Sequence, residues 1–265
     1  MYGAIIGDIV GSRFERHNIK SKDFAFFAPD CRMTYDSIMT LAVYEALSGC
    51  RGVYDDLSER TVKAMQAYGR RYPHVGYGGR FKAWLFEANP RPYGSFGNGA
   101  AMRVSPCGWF GQTLDEVKAL SYQVTCVTHN HPEGLKGAEA TAVAVFLART
   151  GHTMQAIRNA MLDYFALDFT LDVVRADYRF DVTCQGTVPY ALTAFFESHS
   201  FEEGIRNAVS IGGDSDTLAA IAGAVAEAYW GIAPDMIATA NRYLGVAQPL
   251  QYPSSAEPKR PMLDT

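Results

Sequence analysis

Gly212-Gly213-Asp214-Ser215-Asp216-Thr217 stands directly ahead of a strongly periodic apolar segment, and this stretch constrains the 265-residue chain more than any other. Leu218, Ile221, Ala222, Val225, Ala226 and Tyr229 recur at helical spacing behind it, which predicts a helix with one broad buried face. Two adjacent glycines permit a tight backbone reversal that other residues resist. An aspartate or serine at the entrance of a helix is commonly an N-cap. One carboxylate suffices for that, and a second two residues later invites another reading. Clustered oxygen donors without nitrogen or sulfur suit a hard divalent cation such as Mg²⁺ or Mn²⁺.

The same device occurs a second time. Thr34-Tyr35-Asp36-Ser37 precedes a helix whose periodic face is Met39, Val43, Ala46 and Leu47. Two such entrances, far apart in sequence, can converge on one ion or ion pair. Upstream, Gly3, Gly7 and Gly11 repeat every four residues, so on a helix they form a bare face that a neighbour or ligand can approach closely. Asp8 lies inside this apolar stretch, where burial requires a partner. Arg13 to Asn18 then read as a polar loop, and residues 19–33 as a loop with aromatic anchors at Phe24, Phe26 and Phe27.

The segment from Arg91 to Arg103 is the densest loop, with glycines at 94, 97 and 99 whose N–H groups can cradle a phosphate. Arg103 can pair with such a phosphate or with a buried acid such as Asp8. His129 and His131 lie two apart in a loop ahead of another helix, and no third soft ligand stands at a matching spacing for zinc. Contact with a substrate, or capping of that helix, fits the pair better. Helical patterns recur at 55–72, 114–127, 184–196, 201–209 and 234–244, and strand-like alternation never persists. The expected architecture is therefore a single all-α domain over 1–247, with an extended or poorly ordered tail at 248–265.

Composition narrows the classes further. A net charge of −4 offers no basic footprint for bulk nucleic-acid binding, and 48% hydrophobic residues are ordinary for a globular chain. The five cysteines are an odd, widely spaced set without a CxxC pair, which argues against a disulfide framework. No signal peptide or apolar run of transmembrane length is visible, so a cytoplasmic protein is expected.

Taken together, five stretches resemble the ADP-ribosylglycohydrolase family, which includes the dinitrogenase reductase-activating glycohydrolase. They are Gly3 to Asp8 with Glu15, Thr34 to Thr40, Gly97 to Arg103, Thr128 to Gly134, and Gly212 to Thr217, in family order along nearly the whole chain. The resemblance implies an orthogonal helical bundle with two Mg²⁺ or Mn²⁺ ions in a cleft. It places metal ligands at Thr34, Asp36, Asp214, Asp216 and Thr217. It assigns catalytic roles to Glu15, Asp36 and Asp214. Substrate contacts are implied at Gly97, Asn98, Gly99, Ala100, Ala101, Met102, His131 and Ser215.

The implied reaction is release of ADP-ribose from a modified protein side chain or small molecule, by cleavage at C1″ of the distal ribose, by a monomeric enzyme. One position departs from the family pattern: Tyr35 stands where a ligand aspartate is usual. A phenol with an ordinary pKa of about 10 is a poor Mg²⁺ ligand at neutral pH. Tyr35 therefore supports two further expectations: a site with one ion, or an ADP-ribose-binding protein with weakened or lost catalysis.

Overall fold

The computed structural model describes residues 1–245 and 250–253; most of the expected tail at 248–265 lies outside them. The helices in chain order begin with α1 (Tyr2–Gly11), α2 (Tyr35–Cys50), α3 (Leu57–Arg71) and α4 (Gly79–Phe86). The short α5 (Gly99–Met102) and α6 (Ser105–Phe110) precede α7 (Leu114–Thr125) and α8 (Pro132–Arg149). Then come α9 (Met154–Met161), α10 (Leu171–Val174), α11 (Cys184–Phe196) and α12 (Phe201–Ser210). Last are α13 (Ser215–Trp230) and α14 (Pro234–Leu244). Among the described residues there is no β-sheet, only an isolated bridge between Gly97 and Thr183. The architecture is all-α.

The centre of the bundle is the pair α1 and α13. Every residue of α1 is buried, as is nearly all of α13. The two run antiparallel: Gly3 lies on Gly223, Gly7 on Ala219, and Gly11 on Ser215 and Asp216. A Cβ at Gly3 or Gly7 would overlap backbone oxygen across this contact. The bare stripe of α1 thus meets the stripe Ser215, Ala219, Gly223 on α13, and the close approach puts Asp8 beside Asp216. Around this pair, α13 also packs against α12, α11 and α8, while α1 touches α2, α12 and α14.

Helix starts are secured by side chains, some local and some from other helices. Thr113, Thr153, Thr183 and Ser200 accept bonds from N–H groups in the first turns of α7, α9, α11 and α12. Other starts use a carboxylate from elsewhere in the chain. Glu227 on α13 accepts from Tyr2 N at 3.1 Å and Gly3 N at 2.8 Å, and also pairs with the Met1 ammonium. Asp8 on α1 does the same for α2. A negative charge at a helix N-terminus is stabilised by the unpaired N–H groups there. No helix among the described residues is long and apolar enough to cross a membrane. All five cysteines are free thiols.

Candidate active site

The Gly212-Gly213 turn delivers Asp214, Asp216 and Thr217 into the centre of the bundle. Both glycines have positive φ, 70° and 73°, which only glycine adopts without strain. Asn18 clamps the turn from the other end of the chain: its Nδ2 donates to Gly213 O at 2.8 Å, and its Oδ1 accepts from Gly213 N at 2.8 Å. Lys20 Nζ donates to Ile211 O and Tyr178 O at 2.5 and 3.0 Å. The α1–α2 loop is therefore a brace for the α12–α13 turn.

Asp36 enters from the start of α2. Its Oδ1 accepts from Thr217 Oγ1 at 2.9 Å, joining the two motifs directly. Asp8 accepts from Thr34 N at 2.9 Å, Thr34 Oγ1 at 2.7 Å and Ser37 N at 3.0 Å, and from the Ser37 hydroxyl. Asp8, Asp36 and Asp216 each present an oxygen within 4.8 Å of the others. Asp8 spends both oxygens on the α2 entrance, so it orients Thr34 and Asp36 from behind. Asn98 Nδ2 donates to Asp214 Oδ2 at 2.7 Å and to Thr187 Oγ1 at 3.1 Å, tying the glycine loop to the carboxylates.

Four carboxylates are thus gathered in the interior, none more than 5% exposed. Burial, the larger cause, raises the pKa of each above the usual carboxylate range. Mutual repulsion pushes Asp36 and Asp216 furthest. Among the described residues none of the four is paired with lysine, arginine or histidine. Buried negative charge without a counter-ion is costly. An all-oxygen donor set with that deficit fits a hard divalent cation, and Thr34, Asp36, Asp214, Asp216 and Thr217 are the side chains that could hold one.

Above the carboxylates opens a cavity of about 450 Å³, a size typical of small-ligand pockets. Glu15, Tyr35, Gly97, Asn98, Gly99, Met102, Arg103, His129 and Asp214 contribute to its wall. Glu15 is half-buried, and burial followed by the Asp214 charge raises its pKa. Tyr35 sits at the edge nearest the cluster, edge-on to Tyr77 at 6.1 Å. Burial first, then Asp36, Asp214 and Asp216, drive its phenol well above the usual value, so it is neutral.

Other residues expected at the site fall elsewhere. Ala100 and Ala101 are fully buried in α5. Ser215 turns back toward Phe14 O and Gly213 O. His131 caps α8, its Nδ1 accepting from Glu133 N at 3.2 Å, with its ring against Phe96. The histidine on the cavity wall is His129. Arg103 bonds Thr128 and His129 and does not reach Asp8. The glycine loop also offers fewer free donors than three glycines suggest. Gly94 N is bonded to Asn130 Oδ1, Gly97 N to Ser95 Oγ and Asn98 N to Val182 O. Gly99 N has no acceptor among the described residues. Asp8 lay outside the site expected from the sequence; of the histidine pair expected to contact substrate or cap the helix, His129 takes the cavity wall and His131 the cap. Asp8 was legible as a buried acid needing partners, whereas nothing in the sequence ranks His129 above His131.

Comparison with known proteins agrees with this geometry. The sequence model of the ADP-ribosylglycohydrolase family matches residues 1–239. Human ADP-ribosylhydrolase ARH3 is 24% identical, over 87% of this chain and 84% of its own length. The chicken ARH3 is 26% identical over 86% and 83%. An uncharacterized protein of Archaeoglobus fulgidus is 27% identical over 55% of this chain, and the match spans 61% of that protein. A solved structure, a chain of an ADP-ribosylglycohydrolase-related protein complex, superimposes with a TM-score of 0.65 over 92% of both chains. Its 23% identity speaks for a shared fold. With the family model spanning all five motifs and the helical core that aligns them, the chain belongs to the ADP-ribosylglycohydrolase family.

Proposed function

We propose that this protein is a metal-dependent hydrolase that releases ADP-ribose from a modified protein side chain or small molecule by cleaving the bond at C1″ of the distal ribose. The observation behind this reading is the cluster of Asp36, Asp214 and Asp216, buried without a cationic partner among the described residues, with Asp214 on the wall of a ligand-sized cavity. A divalent cation bound there would supply fixed positive charge to orient ribose hydroxyls and offset charge developing on the sugar.

The chain's own residues have separate tasks. Asn98 and Thr217 hold Asp214 and Asp36 in place. Glu15, opening on the cavity, takes a proton from the attacking water or gives one to the departing group. Water oxygen bonds to C1″, the bond from C1″ to the acceptor breaks, and the acceptor leaves with a proton. Phe81 and Tyr93 line one side of the cavity, with Tyr77 packed against Phe81 from behind.

With an ADP-ribosylated peptide as substrate, chelation by EDTA should abolish release of ADP-ribose, and Mg²⁺ or Mn²⁺ should restore it. Glu15→Gln should lower turnover by about a hundredfold or more while ADP-ribose still binds. Undiminished turnover by metal-free protein would overturn the reading. Tyr35 favours a second one, an ADP-ribose binder with weakened or lost catalysis, because a neutral phenol stands beside the carboxylates. Calorimetric titration of Mn²⁺ into metal-free protein, beside the turnover assay, separates the two. Two sites in the unaltered chain support the enzyme; a single site, raised to two by Tyr35→Asp, supports the binder or a one-ion enzyme.

A further inference from the structure

Glu15 hangs from a long connection without regular structure. Among the described residues, 15–27 form no backbone–backbone hydrogen bond. A connection of that kind is uncommon in a compact domain unless it has a task. The Glu15 carboxylate accepts no hydrogen bond among the described residues; burial and the charges of Asp214, Arg16 and Arg32 act on it. Its aim is therefore set by the backbone around it, and side chains hold that backbone.

Three fastenings tie this loop to α12 and the turn that follows. Asn18 joins Gly213 and Lys20 joins Ile211 O. The third comes from α12 itself. Arg206 Nη1 donates to Lys22 O at 2.9 Å and to Phe24 O at 2.7 Å, which uses both of its protons. Its Nε and Nη2 reach Glu202 Oε1 at 2.8 and 2.6 Å, so the guanidinium plane is fixed on the helix. The same group lies over the rings of Phe24 and Phe26, 4.8 and 5.5 Å from their centroids. A pair with Glu202 one turn away would be an ordinary surface bridge worth little. The two loop carbonyls and two loop rings set Arg206 apart.

The contact continues to Glu15. Phe24 stands edge-on to Phe14, with centroids 5.0 Å apart. Phe14 is buried and immediately precedes Glu15, and its carbonyl accepts from Asn18 Nδ2 at 2.6 Å. We propose that Arg206 is a positioning residue for Glu15: it fastens the loop at Lys22 and Phe24 and, through the Phe24 and Phe14 rings, keeps Glu15 directed at the cavity. Of the three fastenings it alone makes no bond to the α12–α13 turn, so its loss should disturb Glu15 without moving Asp214. The part of Glu15 in the reaction rests on the proposed function; the fastening of the loop does not.

The test compares Arg206→Met, which keeps the apolar stem and removes the donors, with the unaltered protein. Trypsin nicking after Lys22, mapped by mass spectrometry, should speed up about fivefold or more as the loop opens more often. Turnover of an ADP-ribosylated peptide should fall about tenfold in kcat, since a shift of about 1 Å at a reacting group is enough for that. KM and Mn²⁺ affinity should stay within about twofold. Arg206→Lys, a point charge without the planar fork, should lie in between. Phe24→Leu leaves α12 intact and should repeat the fall in kcat even if Arg206→Met fails to fold. Unchanged nicking overturns the proposal, and so does unchanged kcat in an active protein. A loss of Mn²⁺ affinity in step with kcat also overturns it, because Arg206 would then be merely structural. If the unaltered protein releases no ADP-ribose, the proposed function fails and the Glu15 half of this inference fails with it, while nicking still decides whether Arg206 fastens the loop.

Discussion

At the scale of single residues, the site depends on side chains that touch no ligand. Asn18 is the clearest: two bonds to the backbone of one residue hold Gly213 in its left-handed conformation, and Asp214 follows immediately. Asn18→Ala should cost about 1–2 kcal/mol in a urea unfolding curve, because its part-exposed hydrogen bonds to Gly213 and to Phe14 O are lost. The same variant should bind Mn²⁺ more weakly, since Asp214 is no longer aimed; unchanged ion affinity would show that the glycines alone shape the turn. The motif residues Asp36, Asp214, Asp216 and Thr217 could be read from the sequence because each sits at a helix entrance with a local signature. Asn18 could not, since its partner is 195 residues away and a polar loop asparagine has no local signature.

At the scale of elements, α1 and α13 are held by what they lack. The four-residue glycine repeat was legible as a face for close approach, but either a helix or a ligand could have filled it. The structure puts α13 there, at a distance where Gly7 has no room for a methyl group against Ala219 O. Gly7→Ala should destabilise by about 2–3 kcal/mol, since a close-packed contact between backbones cannot relax around an added carbon. At about 2–4 °C per kcal/mol for a chain of this size, a calorimetric scan should show a fall of at least about 4 °C. Gly79→Ala is the control: no atom lies within 4 Å of its Cβ position, and its melting temperature should stay within about 1 °C or rise, alanine being the better helix former. The carboxylates Glu227 and Asp8, each capping a helix other than its own, were beyond reach from sequence, because N-cap signatures describe neighbours in the chain.

At the scale of the whole molecule, folding gathers negative charge. For Asp8, Asp36, Asp214 and Asp216 the folded pKa exceeds the unfolded one. The folded state therefore retains protons that the unfolded state has released, and stability falls as pH rises from about 4 through the raised values. His129 acts in the opposite sense: its lowered folded pKa gives stability that is lost as pH falls below about 6.5. Above about pH 6.5, where the His129 effect is absent, any remaining slope of melting temperature against pH in metal-free protein should run downward. Asp216→Asn should flatten that slope. Mn²⁺ at a hundredfold excess over its dissociation constant should restore about 2.7 kcal/mol; a metal-free melting temperature that rises over that range, or one that Mn²⁺ leaves unmoved, would count against a cation site. The amino-acid sequence by itself determined the all-helical class, the two oxygen-rich helix entrances and the family, because periodicity and motif are local patterns. Only the tertiary structure decided that Asp8 backs the cluster, that the loop glycines mostly spend their N–H groups internally, and that His129 rather than His131 faces the cavity. Each of those depends on which distant group arrives to satisfy a buried donor or acceptor, and that choice is made by packing.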